Sequence, residues 1–239
     1  IELVYYLERT GRLTTPAFDM DVQLVVVCML VMAVGLAMII YKNNWERILK
    51  DLRVTYDLTL TGWGQALELR DHETEGHSQR AVEMTLELAK RMGIPKPDLD
   101  HIRRGVLLHD IGKMAVPDAI LLKPGKLTAA EWQVVRQHPL QGIRMVENIS
   151  HLVPALAIPR NHHEQWDGSG YPDGLAGEAI PFAARIFSVV DVWDALTSDR
   201  PYRKAWSANK AREYIRRQSG KSFDPRVVKE FLNLIGDLV

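Results

Sequence analysis

Apolar and polar positions divide the chain into three stretches with different patterns. Residues 22–41 form an apolar run without a charged side chain, and Gln23 is its only strongly polar residue. Across residues 43–70 apolar side chains recur every three or four positions, at Trp45, Leu49, Leu52, Tyr56, Leu60, Trp63 and Leu67. Farther along, helical periodicity alternates with short Pro and Gly loops and lacks the period-two runs of a sheet. The pattern therefore predicts an all-α chain.

The apolar run is about long enough to cross a bilayer, which takes roughly 20 residues in a helix. Asp19 and Asp21 precede it, and the basic residues that follow it are Lys42, Arg47, Lys50 and Arg53. The positive-inside rule then places its C-terminal side in the cytoplasm. We interpret residues 22–41 as a transmembrane helix and residues 1–21 as a short extracytoplasmic segment; a central helix of a soluble domain is the alternative. Since the chain begins at Ile1 rather than Met, we expect further sequence upstream.

Residues 42–70 are interpreted as a connecting helix that passes a signal from the membrane to the rest of the chain. Its single apolar stripe needs a partner, which a second copy in a parallel homodimer would supply. Packing onto the downstream domain of the same chain is the alternative for its second half. Gly62 and Gly64 weaken this helix locally.

The downstream part is predicted to be a bundle of shorter helices. Thr128 and Glu131 have the spacing of a capping box, and Pro139 and Pro225 suit the first turn of a helix. The predicted helices cover residues 75–92, 98–111, 128–137, 139–150, 153–163, 182–198, 208–218 and 225–237.

Net charge and cysteine usage exclude few classes of protein. Thirty basic and thirty acidic side chains cancel, so no overall field attracts a nucleic-acid polymer. The one cysteine, Cys28, has no internal partner for a disulfide, which is typical of a reducing compartment.

Two pairs of adjacent polar residues carry the chemical signal, His109-Asp110 and His162-His163. Each imidazole or carboxylate that is buried without a partner costs about 1 to 3 kcal/mol or more. Such pairs are therefore poor choices for a packed core, and a metal cluster would compensate for the cost. A single buried histidine is more often a satisfied core residue than a ligand, so the indication comes from the set.

Further candidate ligands accompany these pairs. Glu73 and His77 lie four positions apart and share one helix face, from which both can reach one ion. His138 precedes Pro139 at a predicted helix start, and Asp191 interrupts an apolar stretch. Imidazole and carboxylate without thiolate favour iron, manganese or similar metals, and two ions about 3.5 to 4 Å apart can activate water for attack on phosphorus. The residues therefore indicate phosphodiester hydrolysis.

Ordered motifs across residues 55–239 resemble the HD-GYP phosphodiesterases, the branch of the HD superfamily that degrades bacterial cyclic di-GMP. The matching runs are LRDHETEGH from Leu69, LHDIGK from Leu108, PDAIL from Pro117, KPG from Lys123, HP from His138, HHE from His162, DGSGYP from Asp167, DVWDALT from Asp191 and RPYR from Arg200. The resemblance implies an HD-GYP helical bundle as the catalytic domain.

The resemblance also implies two or three iron or manganese ions. The matching ligands are Glu73, His77, His109, Asp110, His138, His162, His163 and Asp191. Asp110 would bridge two ions and help to hold the attacking water, and Glu73 is associated with a third ion. Lys113, one helical turn beyond Asp110, would contact a phosphate oxygen or assist the leaving group.

Substrate contacts follow from the same resemblance. Arg200 and Arg203 match positions that bind phosphate or guanine, which a planar guanidinium suits, although some relatives carry Lys at the second position. A helix-end cap is the alternative for Arg200. Asp71 matches a position near the substrate pocket or caps the helix that carries Glu73, and Tyr171 either stacks on guanine or packs within the protein.

The glycine-rich loop that begins at Asp167 is expected to shape the pocket rim. In related proteins this loop is linked to contacts with diguanylate cyclase domains, so such a domain is an expected partner of Gly170-Tyr171-Pro172. Glu164 is expected to support a neighbouring ligand by a hydrogen bond. The histidines that match no ligand position are His72, His101 and His151.

Together these features predict an enzyme of the bacterial cytoplasmic membrane whose catalytic domain lies in the cytoplasm. It would hydrolyse cyclic di-GMP to pGpG, could continue to GMP, and would lower the level of that second messenger. The alternatives are a catalytically silent receptor for a cyclic dinucleotide or a partner, and an HD phosphohydrolase that acts on another nucleotide.

Overall fold

The computed structural model describes residues 2–11, 16–71, 76–200 and 203–237. Its α-helices are α1 (Glu2–Arg9), α2 (Pro16–Asp71), α3 (His77–Arg91), α4 (Lys96–Leu108), α5 (Asp118–Leu121), α6 (Ala129–Val135), α7 (His138–Val146), α8 (Ala157–Asn161), α9 (Phe182–Thr197), α10 (Ala208–Arg217) and α11 (Pro225–Asp237). Short 3₁₀ helices occupy Ile111–Ala115, Ser150–Ala155 and Gly177–Ala179. The described residues contain isolated backbone bridges but no β-strand, so the predicted all-α class is confirmed.

Contacts between residues divide the chain into two units, residues 1–56 and residues 57–239. In the first unit α2 contains an 18-residue window with a mean hydropathy of 2.9, none of which is buried. By length and composition this helix is able to cross a membrane. The predicted transmembrane and connecting helices form one continuous helix, because no proline interrupts the sequence between them.

In the second unit the last turns of α2 pack against the bundle. Leu60 and Leu67 are buried there. A Cβ on Gly64, which lies between them, would meet Ser78 Oγ at 3.3 Å and Leu107 O at 3.4 Å. The helix therefore passes close to α3 and α4, and a larger side chain at this glycine would hinder the approach. This packing is the alternative that was expected for the second half of the connecting helix.

The core of the second unit lies where α3, α4 and α9 pack together. The middle of α9 is apolar on most sides, and its completely buried side chains are Ile186, Phe187, Val189 and Val190. Leu88 of α3 and Phe231 of α11 are also completely buried in this core. Burial of one such side chain stabilises the fold by about 1.5 to 3 kcal/mol. The core thereby fixes the helix ends, where the polar residues of the site lie.

Some predicted helix boundaries are wrong. The predicted helix 98–111 ends at Leu108, and a 3₁₀ turn follows it. The predicted helix 153–163 consists of a 3₁₀ helix and the short α8, because Pro154 lacks the backbone N–H that a regular helix needs. The short helix α5 was not predicted. The capping box that begins at Thr128 is confirmed, since both of its reciprocal hydrogen bonds are present.

The 3₁₀ turn after α4 packs directly against α7. A Cβ on Gly112 would overlap the carbonyl oxygen of His138 and crowd the backbone nitrogen of Gly142. Both atoms belong to the backbone, so neither can move aside as a flexible side chain would. The glycine therefore lets the turn that follows Asp110 lie next to the start of α7.

Candidate metal centre

Two groups of side chains bring potential ligand atoms within 4.8 Å of one another. The first group consists of Asp110, His138, His162 and His163. The second consists of His77, His109 and Asp191. All of these side chains are buried or half-buried, and most lie at the ends of helices. The structure places every predicted ligand that it describes in one of these two groups.

Backbone carbonyl groups orient three of the imidazole rings. Each contact reaches a carbonyl three or four residues earlier in the chain: His109 Nδ1 to Val106 O at 2.7 Å, His138 Nδ1 to Val135 O at 2.8 Å, and His162 Nδ1 to Ile158 O at 3.1 Å. Since a carbonyl oxygen only accepts, each Nδ1 carries the hydrogen. Each Nε2 therefore has a lone pair available for a metal ion, as in known metal-binding histidines.

The acceptor atoms of the first group lie close together. Nε2 of His138 is 3.4 Å from Nε2 of His162 and 3.1 Å from Asp110 Oδ1. Burial lowers the pKa of His162, and it lowers the pKa of His163 well below its usual value, so both rings are neutral. Lone pairs that face one another at these distances repel, and a bound divalent ion would replace this repulsion by coordination. The donor set therefore fits metal ions.

Lys113 lies between two carboxylates. Its Nζ is 2.6 Å from Asp110 Oδ2 and 2.9 Å from Asp71 Oδ2. Burial opposes the ionisation of Asp110, but the charge of Lys113 holds the pKa of this carboxyl well below its usual range. Asp110 is therefore ionised, which is the form that binds cations. Asp71 is the last residue of α2, and it supports Lys113 from there.

The carboxylate of Asp194 fixes the ring of His77 on α3. Asp194 Oδ2 accepts from His77 Nδ1 at 2.8 Å, and Arg80 donates to both carboxylate oxygens, at 2.7 and 3.0 Å. Burial opposes ionisation of Asp194, but these hydrogen bonds lower its pKa below the usual value. Nε2 of His77 is then 3.6 Å from Asp191 Oδ1. Asp194 lies one helical turn after Asp191 in the same DVWDALT motif. The sequence predicted no role for Asp194, although this motif is among the matching runs.

Arg70 is likewise not among the predicted site residues. Its guanidinium donates to Lys113 O at 2.9 Å, to Val116 O at 2.8 Å and to Asp118 Oδ1 at 2.8 Å. These bonds connect the last turn of α2 to the 3₁₀ turn that carries Lys113. The position of the ammonium therefore depends on two neighbouring residues of α2.

Glu164 orders the loop that follows the second histidine pair. Its buried carboxylate accepts hydrogen bonds from three backbone N–H groups, those of Asp173 (2.7 Å), Gly174 (3.1 Å) and Leu175 (3.0 Å). We expected Glu164 to support a ligand by a hydrogen bond. Its observed partners are loop amides instead, because the chain turns back over the carboxylate.

Tyr171 of the same loop lies beside the first ligand group. Its ring stacks on that of His163, with centroids 4.7 Å apart and an angle of 27° between the planes. Burial raises the pKa of Tyr171, so its hydroxyl stays protonated. A Cβ on Gly170 would overlap backbone atoms of Glu164 and Gln165, so only glycine lets the loop approach this closely.

Arg200 and Arg203 form a tight backbone pair. Two backbone hydrogen bonds join them, at 2.8 and 3.0 Å. The guanidinium of Arg203 donates to Ala195 O and Leu196 O, near the C-terminal end of α9. The helix-end role that we considered for Arg200 is therefore taken by Arg203. The substrate contacts of both arginines stay predictions.

The predicted ligand Glu73 lies outside the described residues, so its association with a third ion stays a prediction. His72, which was not predicted to be a ligand, also lies outside them. His101 and His151 belong to neither ligand group, as expected from the motifs.

An all-α bundle whose helix ends bring buried histidines and aspartates together is a metal-binding helical domain. Comparison with protein families agrees with this class, because the family model described as HD domain matches residues 64–227. The chain belongs to the HD domain family.

Relatives with curated names share most of this domain. The cyclic di-GMP phosphodiesterase response regulator RpfG of Xanthomonas campestris pv. campestris is 45% identical over 177 residues, which cover 73% of this chain and 47% of that protein. The 3'3'-cGAMP-specific phosphodiesterase 2 of Vibrio cholerae is 38% identical, over 77% of this chain and 36% of that protein. The chain therefore spans less than half the length of these curated relatives.

Solved structures show the same fold. A cyclic GMP-AMP specific phosphodiesterase of Vibrio cholerae aligns with a TM-score of 0.60 at 17% sequence identity. The alignment covers 76% of this chain and 49% of that chain. At this identity the likeness supports the helical architecture and nothing more specific.

Proposed function

We propose that this chain is the catalytic part of a metal-dependent phosphodiesterase that hydrolyses cyclic di-GMP to pGpG. The observation that carries the proposal is the convergence of Asp110 with three imidazoles within 4.8 Å in an HD domain. A relative at 45% identity is named a cyclic di-GMP phosphodiesterase, which supports the choice of substrate. In a bacterial cell the reaction would lower the level of this second messenger.

Iron or manganese ions suit the donor set, which combines imidazole with carboxylate and contains no thiolate. Each ligand group would hold one ion, and Glu73 would contribute to a third. When bound, the ions would supply Lewis acidity toward the phosphoryl oxygens and would activate a water for attack on phosphorus.

Asp110 has the position required to serve both groups. It belongs to the first group, and its Oδ2 is 3.2 Å from Nε2 of His109 in the second. Its carboxylate would therefore contribute to ion binding by both ligand groups and help to position the attacking water. The Lys113 ammonium, held beside it, would neutralise charge on a phosphate oxygen or on the leaving oxygen.

Substrate contacts are proposed for four side chains around the centre. Arg200 and Arg203 would bind phosphate or guanine. Tyr171 would present its ring or hydroxyl to the substrate beside His163. Asp71 would act near the substrate chiefly through Lys113, with which it forms an ion pair.

Cyclic GMP-AMP is a second candidate substrate, because a relative at 38% identity is named as specific for it. Hydrolysis of its phosphodiester bonds needs the same chemistry. A receptor without turnover is a third reading. A receptor does not need closely spaced metal ligands, so the two ligand groups argue against it.

Metal content and turnover of the purified full chain test the proposal. The chain would be prepared without oxygen, its metals measured by mass spectrometry, and the hydrolysis of both cyclic dinucleotides followed by chromatography. Asp110→Ala should reduce turnover by about a thousandfold or more, because its carboxylate contributes to both ligand groups. Asp100→Ala, an exposed carboxylate on α4, is the control and should leave the rate unchanged. A metal-free wild-type protein, or an Asp110→Ala variant with the full rate, would contradict the proposal.

We further propose that residues 22–41 cross the bacterial cytoplasmic membrane, with residues 1–21 outside and the catalytic domain in the cytoplasm. The exposed apolar surface of α2 and the basic residues after it support this orientation. Residues 42–70 would pair two copies of the chain through their first half, since side chains of one stripe are exposed there, namely Trp45, Leu49, Leu52 and Tyr56. The Gly170-Tyr171-Pro172 segment would contact a diguanylate cyclase domain.

A further inference from the structure

Arg136 lies at the edge of the metal centre without belonging to the predicted site. It follows the last residue of α6 and precedes His138 by two positions. The side chain is exposed, and its guanidinium carbon lies 5.2 Å from the centroid of the Tyr171 ring. Because that ring stacks on His163, the guanidinium is within about 10 Å of a metal ligand.

Three other cations are engaged by protein groups. Lys113 contacts Asp71 and Asp110. Arg80 contacts Asp194, and Arg203 contacts carbonyl groups of α9. These contacts reduce the charge that each cation can offer to an anionic ligand.

Arg136 differs from these cations. Among the described residues it has no carboxylate within ion-pair distance, and its one aromatic contact leaves the donor N–H groups of the guanidinium accessible. A guanidinium that lies over an aromatic ring keeps a fixed orientation while its edge can bind a phosphate by two parallel hydrogen bonds.

A cyclic dinucleotide carries two phosphodiester groups, and each has one negative charge. The metal centre can act on one of them at a time. The other phosphodiester then lies outside the two ligand groups, where an accessible cation beside them can bind its charge.

Resting on the function proposed above, we infer that Arg136 binds the phosphodiester that is not being cleaved. Tyr171 holds its guanidinium in place. Arg136 is therefore a specificity-determining residue that selects cyclic dinucleotides over substrates with a single phosphodiester.

The test compares two substrates in the full chain. Cyclic di-GMP has two phosphodiester groups, whereas bis(p-nitrophenyl) phosphate has one and therefore lacks the second phosphate. Arg136→Ala should raise KM for cyclic di-GMP about tenfold and leave kcat within about twofold, because one charge-assisted contact is lost in the ground state and in the transition state alike. Kinetics with bis(p-nitrophenyl) phosphate and the metal content should not change.

Two further variants sharpen the comparison. Arg136→Lys should recover part of the lost affinity, because it retains the charge but not the paired donors. Arg144→Ala removes an exposed arginine of α7 and should behave as wild type. Equal effects of Arg136→Ala on both substrates, or an unchanged KM for cyclic di-GMP, would overturn the inference.

The outcomes separate this inference from the proposed function. If wild type cleaves bis(p-nitrophenyl) phosphate but not cyclic di-GMP, the proposed substrate is wrong. Competitive inhibition by cyclic di-GMP then tests Arg136, and a tenfold weaker inhibition of Arg136→Ala would support its role. Absence of any inhibition would reject both statements.

Discussion

One histidine of the second ligand group is held by a charged side chain. Backbone carbonyls hold His109, His138 and His162, whereas the carboxylate of Asp194 holds His77. A carboxylate partner makes an imidazole a stronger donor to a metal ion and fixes its tautomer. The paired hydrogen bonds from Arg80 keep that carboxylate in place. The second group therefore depends on a charge that the first group does not use.

Asp194→Asn tests this dependence. The amide retains an acceptor for His77 but loses the negative charge, so the affinity of the second group for its ion should fall by about 10- to 100-fold. A metal titration monitored by mass spectrometry should show one class of ion lost at low metal concentration, with the ion at the first group retained.

Asp173→Asn is the matched control, because Asp173 pairs with Arg160 on the surface and belongs to neither ligand group. Metal binding by this variant should equal that of wild type. If Asp194→Asn binds its metals as wild type does, the carboxylate has no role in the affinity of the second group.

Motifs indicated the candidate ligands but not the residues that orient them. His109-Asp110 and His162-His163 are conspicuous because adjacent polar pairs are costly in a core. Asp194 and Arg70 act on partners 117 and 43 residues away, and no local pattern indicates such a contact. The sequence did not indicate Arg136 for the same reason, since its proximity to Tyr171 follows from the packing of a loop.

At the scale of elements, the site requires close contact between a 3₁₀ turn and a helix. Gly112 on the turn and Gly142 on α7 meet backbone to backbone. The contact places Asp110 and His138 on facing elements, with Oδ1 and Nε2 3.1 Å apart. Any side chain at this contact would separate the two ligands.

Gly112→Ala should therefore destabilise the protein by about 3 kcal/mol or more, since the added methyl group overlaps backbone and the cost exceeds ordinary overpacking. Turnover should fall as well, because His138 would move from Asp110. Urea unfolding followed by circular dichroism would measure the stability, and the assay with cyclic di-GMP would measure the rate.

Gly62→Ala is the control for this substitution. Gly62 lies inside α2 with no atom near its Cα that a methyl group would meet, so alanine should stabilise the helix by up to about 1 kcal/mol. An unfolding midpoint for Gly112→Ala equal to that of Gly62→Ala would show that the turn can adapt.

Helix existence was easier to predict than helix ends. Periodicity indicated α3, α9, α10 and α11 nearly as observed, because each has one apolar face or an apolar centre. The helix predicted over residues 98–111 extended three residues past the observed end of α4, as far as the first residue of the 3₁₀ turn. The close packing of that turn against α7 is a long-range contact that the local pattern does not indicate.

At the scale of the whole molecule, the chain combines a long apolar helix with an HD domain. The apolar window of α2 is not buried by any other part of the first unit. Exposed apolar surface of this extent is unfavourable in water, and a lipid bilayer would remove that cost.

Fractionation of bacterial cells expressing the chain tests the span. The complete chain should sediment with membranes, and a chain that lacks residues 22–41 should remain in the supernatant. Both should bind metal, since the ligand groups lie within residues 57–239. Equal distribution of the two chains between the fractions would rule out the membrane span.

Arg70 and Asp71 are consecutive residues, and together they hold the backbone and the ammonium of Lys113. One additional residue inserted just before them would turn both side chains by about 100° around the helix axis. Both contacts with Lys113 would then be lost together. The register of the last turn of α2 therefore decides whether the cation beside Asp110 is in place.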